Sequence, residues 1–270
     1  MGGGSALQVI DSHFHAWDLQ RQSLAWLEAE KKLSVLRRDF SIAQLIDEYQ
    51  GVADVELKGL VHIEADTTDA KIEDSMVLET MAQAPELIGA VTHKVLSRHI
   101  DVDDRFVGVR EVLHNEDIPR GRCLEASFLD GLSVLAETGQ VFEAVMRQHE
   151  LKDLWKACSQ VPQAVVVVNH CGNVTVYDQQ YESAIKNLAS LPNVYCKVSG
   201  LAFKNPHLNK KVLQLLEAEF SRKRLLYASN WPVMNLYSSF QENLDLLRDH
   251  FEEDPDVFAN NAKRVYKLKG

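Results

Sequence analysis

The feature that most constrains the fold is a regular alternation between short runs of β-branched residues and longer amphipathic stretches. Runs such as 165–168, which reads Val-Val-Val-Val, are almost entirely apolar and are typical of parallel strands buried on both faces. The pattern predicts eight strands, at residues 7–12, 57–65, 87–93, 106–112, 140–146, 164–170, 193–199 and 224–230. Such an alternation of strands with helical stretches indicates an α/β protein with a parallel sheet.

The stretches between these strands carry helical patterns. They predict helices at residues 41–49, 69–83, 149–160, 178–189, 207–220, 236–250 and 254–267. Ser41 is expected to cap the first of them, and the last begins with Asp254 as its cap, followed by Pro255 at the first helical position. Residues 18–38 are also helix-prone, and we expect this segment to cover the barrel mouth.

Eight strands interleaved with helices in 270 residues predict a closed (β/α)8 TIM barrel that forms a single domain. The alternative is an open doubly wound sheet, which usually has a glycine-rich phosphate-binding turn after its first strand. Here the first strand is followed by His13-Phe14-His15 instead. We expect the barrel domain to span residues 8–270, after a flexible leader at 1–7 that lacks the regions of a signal peptide.

Charge and cysteine content restrict the partners and the compartment. The chain has 29 basic and 39 acidic residues, and a net charge of −10 is unsuited to nucleic acid or to anionic lipid. No apolar run approaches the roughly 20 residues of a membrane span. Four widely separated cysteines predict free reduced thiols, at Cys123, Cys158, Cys171 and Cys196. We therefore expect a cytoplasmic protein with a small-molecule substrate, and its length leaves room for a homo-oligomer.

Polar side chains follow three of the predicted strands, at the end where (β/α)8 barrels place their active sites. His13 and His15 follow the first strand, and histidines at i and i+2 on an extended chain project to the same side. His170 ends the sixth strand, where alternation places it on the face of Val168. Asn230 lies at the turn after the eighth strand and can orient water or substrate, although it cannot ionise. Each histidine could instead be a surface residue or a satisfied core residue.

Glu64 and Arg110 are further candidates near the same rim. Glu64 shares a face with His62 on the second strand, and it could carry a proton, fix a histidine tautomer or form a structural ion pair. Arg110 ends the fourth strand, and its guanidinium suits a carboxylate or sugar hydroxyls. A salt bridge from Arg110 to Glu64 or Glu111 is the alternative.

His62, His114 and Trp231 complete the predicted substrate-binding set with Arg110. His149 and Lys197 are weaker candidates. Histidine is common in loops, and alternation places Lys197 on the same face of its strand as Ser199 rather than Cys196. Asp11 shares parity with His13 but lies one layer deeper in the barrel, so we expect a structural role for it.

Three motifs together resemble a known family: Asp-Ser-His-Phe-His at 11–15, Val-Asn-His-Cys-Gly at 168–172 and Ala-Ser-Asn-Trp-Pro-Val at 228–233. In this order they resemble the amidohydrolase-related family, and more closely its lactonase branch of sugar-acid lactonases and 2-pyrone-4,6-dicarboxylate lactonase. Residues 61–65, 108–110, 193–201 and 260–266 agree with that branch. The resemblance covers residues 8–268.

The resemblance implies a TIM-barrel hydrolase whose site uses His13, His15 and His170, with the residue after strand eight beside them. Most members carry aspartate there as the base that activates water, whereas this chain has Asn230. The base is therefore left unassigned by the motifs.

The main hypothesis is hydrolysis of a sugar-acid or related hydroxy-acid lactone, by one of two routes. In the first, His13, His15 and His170 bind one divalent metal such as zinc, which activates a water. In the second, no metal binds, the histidines polarise the carbonyl, and Glu64 or a histidine takes the proton. The residues leave both routes open.

Two alternatives belong to other classes. Related barrels include zinc-dependent decarboxylases of aromatic acids, and Arg110 could seat the carboxylate of such a substrate. Asn230 in place of aspartate could also leave a protein that binds a sugar acid without turning it over.

Overall fold

The computed structural model describes residues 5–201 and 205–269. Eight parallel strands follow one another around a barrel in chain order. They are β1 Leu7–Phe14, β2 Val55–Ile63, β3 Leu87–His93, β4 Gly108–Val112, β5 Val141–Val145, β6 Val166–Val168, β7 Val194–Lys197 and β8 Leu225–Leu226. Backbone hydrogen bonds from Ser12 to Tyr227 and from Asn230 to His13 draw β8 back to β1. The predicted (β/α)8 TIM barrel is confirmed.

Most helices surround the strands on the outside, while a short helix after β6 lies at the barrel mouth and the last helix lies at the opposite end. The helices are α1 Ile42–Gln50, α2 Ala70–Met81, α3 Ala126–Thr138, α4 Leu151–Gln160, the short α5 His170–Asn173, α6 Gln179–Ala189, α7 Pro206–Phe220, α8 Phe240–Phe251 and α9 Asn261–Val265. Ser41 accepts a hydrogen bond from the Gln44 backbone and Gln44 caps Ser41 in return, which confirms the predicted N-cap of α1. Asp254 accepts from the Asp256 backbone, as predicted for the start of the last helical segment.

The barrel core has an inner and an outer layer. Inward-facing strand residues pack on the C-terminal segment, through Ile10, Val61, Ile63, Val91, Val141, Val167 and Leu226 on the strands and Ala259, Ala262, Val265, Tyr266 and Leu268 on that segment. Lys267 donates to the Gly139 carbonyl just before β5, so this segment covers the end where the strands begin. The opposite end, where the strands finish, is left for the active site.

Several predicted boundaries differ from the structure. Helix α3 was not predicted, because Gly131 at its centre lowers helix propensity. A Cβ on Gly131 would lie 2.5 Å from the Ser97 backbone nitrogen, so close packing of α3 on that loop requires glycine. No helix follows β3, where residues 94–107 form loops and turns. Strand β8 is far shorter than 224–230, and the helix predicted from 236 begins at Phe240.

The first strand begins inside the predicted leader, and residues 18–38, which we call the capping segment, contain short helices. Residues 1–4 of the predicted leader lie outside the described residues, and Leu7 is already buried as the first residue of β1. Residues 18–38 contain two 3-10 helices, Ala25–Glu28 and Lys31–Leu36. The four cysteines are buried free thiols, as predicted. Among the described helices, none has the length and apolar character that crossing a membrane requires.

Candidate active site

A cavity of 630 Å³ opens at the carboxyl ends of the strands. Five residues predicted for the site line it: His15, Arg110, His114, His170 and Asn230. Its wall also contains residues not singled out from the sequence, among them Trp26 from the capping segment, Asp66, Arg147 and Tyr237. The weaker candidate His149 lines it as well. The strand ends therefore bring together residues that are far apart in the chain.

His13 and His15 are joined directly by their rings, whose Nε2 atoms lie 3.2 Å apart. The Ile63 carbonyl, 2.8 Å from His15 Nδ1, can only accept, so His15 carries its proton on Nδ1. His15 Nε2 then accepts the Nε2 proton of His13. The ammonium of Lys197 completes this chain by donating to His13 Nδ1 at 3.3 Å. The network therefore assigns both tautomers.

His170 lies beside this pair, with its ring centroid 4.4 Å from that of His13. Its Nδ1 is 2.8 Å from the Ser199 hydroxyl, which leaves Nε2 for the cavity. His170 has a φ of 52°, and this turn breaks the strand alternation. Val168 consequently faces the outer core while His170 lines the cavity, so the prediction that they share a face is wrong. The predicted position of His170 at the barrel mouth agrees with the structure.

All three histidines are held neutral. Burial lowers the pKa of His13 well below its ordinary value, and the charge of Lys197 adds to this effect. Burial likewise lowers the pKa values of His15 and His170, with Arg110 as the next cause for each. These rings are therefore hydrogen-bonding groups at neutral pH rather than cations.

Glu64 and Arg110 form a buried ion pair at the cavity wall. Arg110 Nε donates to a carboxylate oxygen of Glu64, and its Nη2 donates to the Glu64 carbonyl at 2.6 Å. The other carboxylate oxygen of Glu64 accepts from the Asp66 backbone at 2.8 Å. Glu64 does not itself line the cavity in the described chain, so the structure favours the predicted alternative of an ion pair. Glu64 therefore holds both Arg110 and Asp66 in place.

A second buried ion pair lies deeper, beneath His13. Lys197 donates to Glu143 at 2.7 Å, and both side chains are fully buried. Glu143 also accepts from Asn169 and from the hydroxyl of Tyr266. Burial lowers the pKa of Lys197 to about 8, while the charge of Glu143 opposes the shift. Sequence reasoning missed Glu143, although a lone glutamate inside the apolar run Val-Phe-Glu-Ala-Val was a signal for it.

Asn230 is paired with a tyrosine that sequence reasoning also missed. Asn230 Nδ2 donates to the Tyr237 hydroxyl at 3.3 Å, and both residues line the cavity. Burial raises the pKa of Tyr237 to about 12, so its hydroxyl keeps a proton to donate. No strand pattern pointed to Tyr237, because it follows a 3-10 helix, Val233–Leu236.

Asp66 contributes the one carboxylate among the described residues that line the cavity. It adopts a φ of 53°, a left-handed conformation that is uncommon outside glycine. Its Oδ2 accepts from Asn115 Nδ2 at 2.8 Å. The signal available in the sequence was its place directly after the second strand, where a barrel presents side chains to its mouth.

Two predicted substrate-binding residues, His62 and Trp231, do not line the cavity. His62 faces outward from β2 and packs edge-on against Phe14, because Val61 and Ile63 occupy the barrel interior. The predicted parity with Glu64 fails since β2 ends at Ile63. Trp231 is buried against Phe40, with ring centroids 5.3 Å apart, instead of lining the cavity.

Asp11 also departs from its predicted parity with His13. A register irregularity between Asp11 and Phe14 interrupts the alternation of β1. The Asp11 carboxylate accepts from the Tyr49 hydroxyl at 2.9 Å and from the Ser229 backbone at 2.9 Å. The expected structural role follows from these contacts, which tie β1 to α1 and to the segment after β8.

Comparison with known families agrees with this geometry. A family model described as Amidohydrolase matches residues 10–268. The chain belongs to the amidohydrolase family. The resemblance seen in the three sequence motifs is thereby confirmed.

Individual relatives match the amidohydrolase over nearly its whole length. An L-fucono-1,5-lactonase from Burkholderia multivorans is 24% identical, covering 96% of this chain and 96% of the relative. The structure of amidohydrolase 2 from Bifidobacterium longum subsp. infantis is 38% identical, with a TM-score of 0.89 over 97% of this chain and 100% of the other. A Burkholderia multivorans amidohydrolase with bound zinc has a TM-score of 0.85 at 23% identity, with coverages of 97% and 100%.

One member of the predicted three-histidine metal centre, His13, does not have the tautomer that a metal ligand needs. A ligating histidine presents a bare nitrogen and usually donates its other N–H to a carbonyl or carboxylate. His13 instead has the ammonium of Lys197 at Nδ1, which places its own proton on Nε2. Across residues 5–201 and 205–269, no group of three or more His, Cys, Asp or Glu side chains is arranged to hold a metal ion. His13 and His15 form a hydrogen-bonded pair, and His170 packs against His13 while its Nδ1 is bonded to Ser199.

Proposed function

We propose that this amidohydrolase opens an uncharged sugar-acid lactone by attack of water on the ring carbonyl. The observation that carries the proposal is the cavity itself. It lies at the strand ends and presents neutral donors and one carboxylate, from His170, Asn230, Tyr237 and Asp66. The L-fucono-1,5-lactonases matched over 96% of this chain support a lactone as the substrate class.

Neutral donors polarise the lactone carbonyl in this proposal. Tyr237 accepts from Asn230 and therefore has its own O–H available for the carbonyl oxygen. His170 supplies a second donor from Nε2 when the Ser199 hydroxyl donates to Nδ1. As water attacks, negative charge develops on that oxygen, and donors already in place stabilise it with little reorganisation.

Asp66 takes the proton of the attacking water. Asn230 cannot ionise, and the lowered pKa values of His15 and His170 make their rings weak bases. Asp66 is held by Asn115 and by the Glu64–Arg110 pair, so its carboxylate is positioned within the cavity wall. The proton then passes to the ring oxygen of the lactone as the carbon–oxygen bond breaks.

The charges of the cavity wall favour an uncharged substrate. Arg110 and Arg147 are the described Arg or Lys side chains that line it, and each is already paired, with Glu64 and with Glu150. A dicarboxylate lactone, or the acid substrate of a decarboxylase, would need a cation free to bind its carboxylate. The hydroxyl groups of an uncharged lactone can instead form hydrogen bonds with the N–H and C=O groups around the cavity.

A panel of lactones tests this function, with acid release followed by a pH indicator. We expect hydrolysis of L-fucono-1,5-lactone and other aldonolactones, and none of 2-pyrone-4,6-dicarboxylate. Because the tautomer of His13 does not suit a metal ligand, neither chelator treatment nor added zinc should change the activity. Hydrolysis that appears only in Asn230→Asp would mean that the natural protein is a binder, and loss of activity on chelation would reject the metal-free route.

Gly200→Ala should lower kcat/KM about 10²-fold, which is the size of effect that a displacement of about 1 Å can have. Gly200 has a φ of 67°, and a Cβ there would lie 2.6 Å from the Cβ of His170. The substitution therefore displaces His170 from its place beside His13. Gly51→Ala is the matched control, since Gly51 has ordinary φ and room for a Cβ. Equal kcat/KM values for both variants would contradict this role.

A further inference from the structure

A second cavity, of 260 Å³, lies on the outer face of the barrel beneath the capping segment. We call it the side cavity. It is bounded by β1, β2, α1 and α2, and its wall includes Phe14, Gln22, His62, Glu73, Met76 and Val77. Among the described residues, none lines both this cavity and the active-site cavity. The side cavity is therefore a separate compartment that lactone hydrolysis does not use.

Three polar side chains of the side cavity have atoms without a hydrogen-bond partner in the described protein. These atoms are Gln22 Nε2, Glu73 Oε2 and at least one ring nitrogen of His62, whose other nitrogen lies by the Ala16 backbone. The three side chains are 7%, 3% and 2% exposed respectively, so they are withdrawn from bulk solvent. A buried polar group without a partner costs about 1–3 kcal/mol. Several of them around one cavity indicate that something else completes their hydrogen bonds.

The partners that these atoms require can be read from their neighbours. Gln22 Oε1 accepts from the Asp18 backbone, which leaves its Nε2 as a free donor. Glu73 Oε1 accepts from the Ala65 backbone at 2.8 Å. Burial, with the nearby charge of Glu64, raises the pKa of Glu73 well above its ordinary value, so Oε2 carries a proton. Burial lowers the pKa of His62 to about 4, which makes its ring one donor and one acceptor.

Apolar side chains also line the side cavity, namely Phe14, Phe40, Ile42, Met76, Val77 and Leu87. Water can bond to the polar atoms but gains little from contact with the apolar side chains, whereas apolar surfaces of cavities take up small hydrocarbon rings. The volume is slightly below the roughly 300–1,000 Å³ of typical ligand pockets, so an occupant is small. A ring packed on the apolar side chains, with one oxygen near the unpaired polar atoms, satisfies both groups of residues.

We infer that the side cavity is a binding site for a small uncharged molecule that carries a hydroxyl or carbonyl group on an apolar ring. The oxygen of such a molecule accepts from Gln22 and Glu73, and a hydroxyl can also donate to His62. Its ring packs against Phe14 and Val77.

Charge excludes an anion from this site. Asp18 and Asp39 also line the side cavity, and none of its described lining residues is Lys or Arg. A carboxylate ligand would meet like charge without a compensating cation, at a desolvation cost that an uncharged ring avoids. Phenol is therefore the probe of choice, with toluene and benzoate as probes that lack the hydroxyl or add charge.

Saturation-transfer NMR titrations of the whole protein test the site with these three probes. We expect phenol to bind with a Kd on the order of 1 mM, toluene about 3- to 10-fold more weakly, and benzoate not at all. A crystal soaked in phenol should show its ring in the side cavity. Equal affinities for phenol and toluene, or a soaked crystal with only water there, would overturn the inference.

Two variants separate this site from the active-site cavity. Val77→Phe fills the apolar side and should weaken phenol at least tenfold while leaving hydrolysis unchanged, whereas Val95→Phe at an exposed position should change neither. Gln22→Leu removes one polar partner, so it should weaken phenol and spare toluene. If Val77→Phe fails to fold, the result for Gln22→Leu decides. Unaltered phenol binding in a folded Val77→Phe or in Gln22→Leu would reject the site.

Discussion

Asp66→Asn is expected to lower kcat for lactone hydrolysis by about 10²–10⁴-fold, the usual contribution of a general base. Asparagine keeps the size of the side chain and can still contact Asn115, but it cannot accept a proton from water. Since Asp66 is the one carboxylate among the described residues that line the cavity, no neighbouring group of the same kind replaces it. KM should change much less than kcat, because the substrate keeps its other contacts.

The matched control for this variant is Asp117→Asn, which removes an exposed carboxylate of the same rim that does not line the cavity. Its kcat should remain within about twofold of the natural enzyme, since surface substitutions of this kind rarely disturb a site. A kcat for Asp66→Asn equal to that of the control would transfer the base role to another group, with His170 the next to test.

Lys197→Met should lower the free energy of unfolding by about 3–5 kcal/mol, as expected when one partner of a buried ion pair is removed. The variant leaves the carboxylate of Glu143 fully buried without its cation, although Asn169 and Tyr266 still donate to it. Urea unfolding monitored by fluorescence measures the difference. Because Lys197 also donates to His13, the variant should lose activity even under conditions where it is folded.

Two further variants identify the cause of this loss of stability. Lys197→Met combined with Glu143→Gln removes the unpaired charge, and it should recover more than half of the lost free energy. Arg98→Met breaks an exposed pair with Asp130 and should lower the free energy of unfolding by at most about 1 kcal/mol. If Lys197→Met lost no more than Arg98→Met, the buried pair would not be a source of stability.

The barrel was predictable because its signals are local. A run of β-branched residues predicts a buried parallel strand wherever it occurs, and eight such runs separated by amphipathic stretches leave few architectures. Three motif residues that line the cavity, His15, His170 and Asn230, were found in the same way, since they lie at or just beyond the ends of predicted strands. Helix α3 was not predicted because Gly131 weakens the helical pattern of the sequence. Glycine is required at this position by close packing on a loop that is distant in the chain.

The directions of side chains were less predictable, since they depend on alternation that irregularities interrupt. The positive φ of His170 turns it toward the cavity, and the early end of β2 separates the environments of His62 and Glu64. A period of 2 holds only while the strand continues. Residues such as Tyr237 and Asp66 lie beyond strand ends, where no periodicity applies.

By itself, the sequence determined the (β/α)8 barrel, the family and the positions of the rim histidines, because these follow from short-range patterns and ordered motifs. Only the tertiary structure decided which groups those histidines contact. The donor at His13 Nδ1 comes from Lys197, 184 residues away, and it sets a tautomer that disfavours a metal. The position of a proton on a histidine ring depends on which groups contact that ring. Those contacts form only when the barrel closes, so no single segment of the sequence specifies them.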